Sequence, residues 1–291
     1  MMVVAPEPCG WLSLVSGRLV APWALPRLPI PFFRRRHQPG ARGWPGFFLL
    51  EAGLRLWAGR NVTRSLRARF WLRRLVGSRL RSPGDEPVVV ATLSALELFS
   101  HHPGKKILML DLPLLRQLHA DLDQAARHHP HSPFLHRFRA PHAVVARQEA
   151  ELALADEVWV LGPYAETLLS GYPVRRLDRP VAPRPAQGTD WLLAGPATAR
   201  NGVYQALELL ERFPQARLRV NPGEGLEPFD LLDHPRVTPA GDLEGVGLVL
   251  ALSWCESYPA EARSGLPLLA TRPAGGDLVP GDLEGLVSRL G

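Results

Sequence analysis

An α/β fold in two domains with parallel sheets is predicted by three observations. The chain has 291 residues, which suits about two domains of ordinary size. From residue 87 onward, short apolar runs alternate with helix-capable stretches, the rhythm of βαβ units. The apolar runs are unbroken rather than alternating, as in Val88-Val89-Val90 and Leu248 to Leu252. Such runs suit strands buried on both faces of a parallel sheet.

Composition narrows the class. With 46% hydrophobic and 21% charged residues the chain can bury ordinary cores, unlike a disordered segment. Cys9 and Cys255 are the only cysteines, so neither a disulfide framework nor a CxxC site is expected. A reduced, cytoplasmic location is the simpler expectation. No stretch approaches about 18 uninterrupted apolar residues, so no membrane-spanning helix is expected. Met1 to Pro8 holds Glu7 and no basic residue, unlike a signal peptide. Charge is uneven. Residues 1–82 carry 15 Arg and two Glu, while the remainder carries 19 basic and 26 acidic residues, for a net +6 overall. The first part therefore presents a cationic surface. Nucleic acid is not an expected partner, because the chain has no helix-turn-helix, RNP-like or zinc-finger pattern.

The elements follow in order. Met2 to Ala5 reads as a strand closed by Pro6-Glu7-Pro8-Cys9-Gly10. Residues 11–46, rich in Pro, Gly, Trp and Arg, read as a helix start and then loop, and no further strand is read there. Phe47 to Leu80 reads as two basic amphipathic helices broken near Gly59-Arg60-Asn61. Their apolar residues are Leu50, Leu54 and Trp57, then Val62, Leu66, Phe70 and Trp71. Arg64, Arg67, Arg69, Arg73, Arg74 and Arg79 fill the remainder. Such a helix either lies on an anionic membrane surface or packs on its domain with Arg stems over the edge.

Pro87 to Ala91 is a strand, Ser94 to Ser100 a short helix, and Lys106 to Leu110 a strand. Asp111 follows it directly, before a helix from Leu112 to Arg127. Asp111 is either that helix's N-cap or a site residue at a strand's carboxyl end. His119, on the helix, is either a surface histidine or a site residue. His128, His129, His131, His136 and His142 do not repeat at metal-ligand spacing, and Pro130, Pro133 and Pro141 interrupt them. They read as a polar connector. Ala143 to Ala155 is a helix, Glu157 to Leu161 a strand, and Gly162-Pro163-Tyr164 a turn. Residues 173–189, with Pro173, Pro180, Pro183 and Pro185, suit a stiff linker. The division expected is 1–178 for the N-terminal domain, 179–189 for the linker and 190–291 for the C-terminal domain.

The second domain opens with the strand Trp191 to Ala194, the turn Gly195 to Gly202 and a helix from Val203 to Phe213. Strands follow at Ala216 to Val220, Arg236 to Thr238 and Gly247 to Leu252. Ser253 to Pro259 is a polar turn carrying Glu256, and Ala260 to Arg263 a short helical piece before Gly265. Leu266 to Ala270 is the next strand, and Leu283 to Leu290 the last helix.

The ordered residues Ser253, Glu256-Ser257-Tyr258-Pro259, Glu261-Ala262 and Ser264-Gly265-Leu266-Pro267-Leu268-Leu269-Ala270-Thr271 resemble a signature of known enzymes. They are similar to the C-terminal domain of retaining, GT-B-type glycosyltransferases of the glycosyl transferases group 1 family (family 4-like). The acidic helix running into Ala155-Asp156 and the strand after it, and the turn from Gly195 to Gly202, match that family as well. The resemblance implies two Rossmann-like domains facing across a cleft, the C-terminal one shortened here. It implies transfer of a sugar from a nucleotide-sugar donor to an alcohol acceptor, glycan or lipid-linked, with no metal and no further cofactor. Donor-binding residues would be Gly195, Arg200, Asn201, Gly202, Glu256, Ser257, Tyr258 and Glu261. Asp111 and His119 would serve the reaction.

Two departures accompany the match. The family has seven residues between its two glutamates, whereas four separate Glu256 from Glu261, which also suit solvated carboxylates at a helix start. The family's phosphate-gripping Arg and Lys fall on Pro196 and Asn201, leaving Arg200 as the neighbouring cation. A second reading is therefore a catalytically weakened relative, serving as a binding or scaffold partner at the inner face of a membrane.

Overall fold

The computed structural model describes residues 1–5, 15, 18–20, 50, 53–54, 56–57, 62–136, 139–177, 183–186, 188–221, 227–228, 230–255, 264–274 and 276–290. The chain packs as two units. The first comprises Met1–Leu115, Ala140–Leu161 and Ala165–Asp178, and the second Arg116–Arg139, Gly162–Tyr164 and Arg179–Gly291. Each unit is built on one parallel sheet with helices, so the chain is an α/β protein with two parallel-sheet units.

The first sheet joins β1 (Met2–Val4), β2 (Arg18–Val20), β3 (Val88–Ala91), β4 (Lys106–Leu110), β5 (Glu157–Val160) and β6 (Val174–Arg176) in the order β2-β1-β3-β4-β5-β6. Every pairing is parallel, with Met2 beside Val88, Val88 beside Lys106 and Ile107 beside Glu157. Side chains alternate across a sheet. Val88 and Val90 join Leu108, Leu110 and Val158 on one face, and Val89 and Ala91 join Ile107, Met109 and Trp159 on the other. Both sets are buried, which is why these strands read as unbroken apolar runs. The first face is covered by α1 (Val62–Arg79), α2 (Leu96–Phe99), α4 (His142–Leu154) and α5 (Pro163–Leu168), through Leu72, Val76, Phe99, Leu152 and Ala165.

The orientation of α1 differs from the expected one. Ala68, Leu72, Arg73 and Val76 are buried, whereas Arg64, Arg67, Trp71 and Arg74 are exposed. At 100° per residue, Trp71 falls outside the buried arc and beside Arg67 and Arg74. Trp71 thus belongs to the solvent face, and Arg73 to the core face. Residues 53, 54, 56 and 57 are helical too, but the expected break at Gly59 to Asn61 lies outside the described residues.

Two strands were not expected. β2 falls in a stretch read as loop, and β6 in one read as linker. Among the described residues both are edge strands, each of three residues. The turn after Ala5, the tract Arg34 to His37 and the linker residues 179–182 and 187 lie outside the described residues.

The second sheet joins β7 (Asp190–Pro196), β8 (Leu218–Asn221), β9 (Val237–Pro239), β10 (Val246–Ala251) and β11 (Leu268–Ala270) in the order β11-β10-β7-β8-β9, again all parallel. The chain starts in the middle at β7, runs outward through β8 and β9, then returns to β10 on the other side. The carboxyl ends of β7 and β10 therefore form the topological switch point, where open α/β sheets take ligands. Helix α6 (Val203–Arg212) lays Val203, Ala206, Leu209 and Leu210 on this sheet, and α7 (Leu283–Leu290) adds Leu286. Helix α3 (Leu115–His128) belongs to this unit from Arg116 onward.

Candidate functional site

The first unit gathers polar groups at the carboxyl ends of β3 and β4. Asp111 does not cap α3, whose Leu115 N–H donates instead to Gln148 Oε1 at 2.7 Å. Its carboxylate faces Arg73, which donates from Nη1 to Oδ1 and from Nη2 to Oδ2, both at 2.9 Å. Arg73 Nη1 also donates to the Thr92 carbonyl at 2.8 Å. The pair is almost sealed, with side chains 3% and 5% exposed. The next turn holds Leu93 at φ 67°, a left-handed conformation rare for a branched residue. Glu151 holds it there: its carboxylate accepts the N–H groups of Leu93 at 2.6 Å, Ala95 at 3.0 Å and Leu96 at 3.1 Å. Burial pushes the Glu151 carboxyl up to about 7, against the pull of Arg147 and these N–H groups.

In the second unit, the turn from Gly195 to Gly202 leaves the end of β7. Gly195 has φ 80° and Gly202 φ 81°. A Cβ on Gly202 would meet the backbone oxygen and Cβ of Leu252 at 2.4 Å, so glycine is required twice over there. This close approach brings the turn against the end of β10. Trp254 N–H donates to the Arg200 carbonyl at 3.0 Å, and the Ser253 hydroxyl to the same oxygen at 3.3 Å. Asn201 is buried and donates from Nδ2 to the Pro196 carbonyl at 2.7 Å. The turn from Gly195 to Gly202 thus meets Leu252, Ser253 and Trp254 at the switch point.

Arg200 stands beside Cys255. Burial pushes that thiol up to about 11, against the pull of the Arg200 guanidinium. Asp121 of α3 is 6% exposed and lies near the same thiol. It accepts from Gln117 Nε2 at 2.7 Å and from the Tyr164 hydroxyl at 3.2 Å. Burial raises its carboxyl above the usual range, against both hydrogen bonds. His119, on the same helix, is half-buried; burial and then Arg139 lower its imidazole, favouring the neutral form. Arg139 donates to the His119 carbonyl at 2.7 Å and to Asp123 Oδ1 at 2.7 Å.

An anion at a helix start needs free N–H groups. In this turn, Ala197 N–H donates to Asn221 O, Thr198 N–H to Pro196 O, Asn201 N–H to Thr198 O, Gly202 N–H to Ala199 O and Val203 N–H to Thr198 O. Ala199 N–H donates to the carboxylate of Glu227 at 2.8 Å, and Glu227 is 5% exposed. The N–H groups of Asn201 and Gly202, expected to face a diphosphate, are therefore engaged within the turn itself.

Sequence reasoning missed several residues of this neighbourhood. Glu227 approaches through tertiary packing and holds Tyr204, whose phenol is raised by burial and then by that carboxylate. The ring of His129 stacks on Tyr204 at 4.7 Å, and that of His128 lies 4.8 Å from Trp254. Two of the five histidines read as a connector, His128 and His129, thus pack on the aromatic residues beside the switch point, while His131, His136 and His142 are exposed. The Gln205 amide, oriented to serve both neighbours, accepts from Trp254 Nε1 at 2.7 Å and donates to Gly202 O at 3.3 Å. Glu256, Ser257, Tyr258 and Glu261 lie outside the described residues, as does the short helical piece from Ala260 to Arg263. Among the described residues, no three His, Cys, Asp or Glu side chains are gathered as a metal ion would require.

No family model matches this sequence, and no curated protein matches it. Similar solved structures include a UDP-glucosyltransferase from Polygonum tinctorium in complex with 3,4-dichloroaniline, at 13% identity and TM-score 0.39, covering 98% of this chain and 82% of that one. Phytolacca americana UGT2, complexed with UDP-2fluoro-glucose and pterostilbene, is 12% identical with TM-score 0.42, covering 94% and 82%. TcCGT1 in complex with UDP is 12% identical with TM-score 0.42, covering 100% and 77%.

Proposed function

We propose that this chain transfers a sugar from a nucleotide-sugar to an alcohol acceptor, with the second unit holding the donor. The observation that supports this most is the meeting of the Gly195 to Gly202 turn with the Ser253 to Cys255 segment at the switch point between β7 and β10. Arg200 is the cation for the leaving diphosphate. Glu256 accepts hydrogen bonds from donor hydroxyls, with the backbone of Ser257 and Tyr258 beside the phosphates and Glu261 further along. Gly195, Asn201 and Gly202 shape the turn. His119, with its neutral form favoured, suits proton acceptance, and Asp111 is oriented by Arg73. The reaction takes the nucleotide-sugar as substrate, with no metal and no further cofactor. The test is the melting temperature with UDP, GDP and ADP. A working donor site adds about 2.7 kcal/mol at a hundred times the dissociation constant. One of the three nucleotides should shift the wild type and none should shift Arg200→Ala. No shift with any of them removes the donor reading.

A second reading has its own observations. Pro196 donates nothing, the N–H groups of Ala197, Thr198, Asn201, Gly202 and Val203 are engaged, and the Glu227 carboxylate takes Ala199 N–H where a phosphate oxygen would be welcomed. These favour a weakened relative acting as a binding or scaffold partner on a cytoplasmic, anionic membrane face, with a glycan or lipid-linked partner. The surface for it is the exposed face of α1, Arg64, Arg67, Trp71 and Arg74, together with exposed Leu56 and Trp57. The Arg64 guanidinium lies 5.7 Å from the Trp57 ring centroid. This attachment would be peripheral, through Arg and Trp side chains at the headgroup level; among the described residues no helix is long and apolar enough to cross a membrane.

A further inference from the structure

A cavity of about 390 Å³ opens in the first unit at the start of β1 and β2. Arg18, Arg79 and Arg81 line it, with Met2, Val20 and Leu80 as apolar wall. The sheet register explains the gathering. Met2 pairs with Arg18, so β2 brings its first residue beside the floor of the cavity. Helix α1 ends at Arg79, Leu80 N–H closes onto the Gly77 carbonyl, and Arg81 follows as the chain leaves. All three arginines are exposed, and none of their guanidinium groups has a hydrogen-bond or ion-pair partner among the described residues. Among the described residues no carboxylate lines the cavity; Glu86 faces the amino group of Met1 at 3.9 Å instead. Because the sheet is parallel, this amino edge lies at the opposite end of the strands from Thr92 and Asp111. The cavity is thus separate from the polar cluster already described.

Three like charges around one cavity repel one another, and a dianion placed among them turns each interaction attractive. Guanidinium forks match phosphate oxygens geometrically, and a phosphomonoester carries about −1.5 to −2 charge at pH 7. The volume admits a phosphate with several further atoms, and Met2, Val20 and Leu80 offer an apolar surface to a short carbon skeleton. We infer that this cavity is a binding site for a phosphomonoester, either a small phosphorylated metabolite or the headgroup of a phosphate-bearing lipid. The inference is independent of the donor reading for the second unit.

The experiment titrates glycerol 3-phosphate into the full chain by calorimetry and, in parallel, sediments the chain with phosphatidylcholine vesicles with or without phosphatidic acid. Arg18→Gln, Arg79→Gln and Arg81→Gln should each weaken binding roughly tenfold or more. Arg200→Ala should leave glycerol 3-phosphate binding unchanged, which separates this cavity from the turn after β7. All three side chains are exposed, so equal melting temperatures are expected for the variants. Saturable heat that these substitutions abolish identifies a soluble ligand. Vesicle binding that requires phosphatidic acid and the same arginines identifies the headgroup. The inference is overturned if neither probe binds, or if the substituted chains bind both as the wild type does.

Discussion

Arg73 and Asp111 form a doubly hydrogen-bonded ion pair inside the first unit, tying the middle of α1 to the end of β4. Removing one partner of a buried pair leaves the other charge uncompensated, typically at about 3–5 kcal/mol. Arg73→Gln and Asp111→Asn should each lower stability by roughly that amount in denaturant titrations. The pair Arg73→Met with Asp111→Asn should recover a good part of the loss. If Asp111→Asn melts like the wild type, the pair does not hold the fold.

Glu227 accepts Ala199 N–H in the Gly195 to Gly202 turn, where the donor is proposed to bind. Glu227→Gln keeps an acceptor for that N–H but removes a negative charge near the position proposed for the diphosphate. Nucleoside diphosphate affinity should rise, roughly tenfold, because a like charge has gone. Calorimetric titration of both chains checks this. Unchanged affinity would place the nucleotide elsewhere.

Glu256 and Glu261 divide the donor proposal between them. A hydrogen bond to a charged group contributes about 1.5–3 kcal/mol, or roughly ten- to a hundredfold in affinity. Glu256→Gln should weaken donor binding by about that factor with little change in melting temperature, and Glu261→Gln should do less. The reverse ranking would show that Glu261, rather than Glu256, holds the donor.

For the exposed face of α1, Arg64→Gln, Arg67→Gln and Arg74→Gln together with Trp71→Ala should abolish sedimentation with phosphatidylserine vesicles, which carry no phosphomonoester for the cavity at Arg18, Arg79 and Arg81. Basic residues near such a surface contribute about 1 kcal/mol each, and the binding should fall as salt rises. Arg73 is left out because it is buried. A variant that sediments as well as the wild type would exclude this face.

Stability should also carry the mark of Glu151. Its carboxyl is raised from 4.5 to about 7 by burial, so the folded state holds the proton more tightly than the unfolded chain. The contribution is fully present below about pH 4.5 and is lost as pH rises through about 7. Against Glu151→Gln, which does not titrate, the wild type should lose about 3 kcal/mol over that window. Denaturant midpoints at pH 4.5, 6 and 7.5 measure it, and parallel curves for the two chains would refute it.

The central strands were legible because burial on both faces leaves unbroken apolar runs, as in Val88 to Ala91 and Val246 to Ala251. β2 and β6 were not. Each is a three-residue edge strand, half-exposed and carrying arginine, so two-sided burial leaves no trace in its sequence. The solvent face of α1 was misjudged for a related reason: a buried Arg73 and an exposed Trp71 invert the usual sorting of residue types. At the candidate site, the turn from Gly195 to Gly202 was visible as a local pattern. Glu227, Asp121 and the rings of His128 and His129 reach it only through folding, and no spacing rule announces such neighbours.

The clamp on Arg73 also decides which way α1 can turn. Arg73 and Arg74 are adjacent in sequence, yet one is locked in the core and the other stands in solvent. Rolling the helix by one residue would draw a paired guanidinium out of its seat and press Arg74 toward the sheet. The outward heading of Arg67, Trp71 and Arg74 is therefore set from beneath, by a nearly sealed carboxylate at the end of β4. Any partner that reads this stripe reads a fixed pattern, and a change at Asp111 would blur that pattern without altering a single exposed residue.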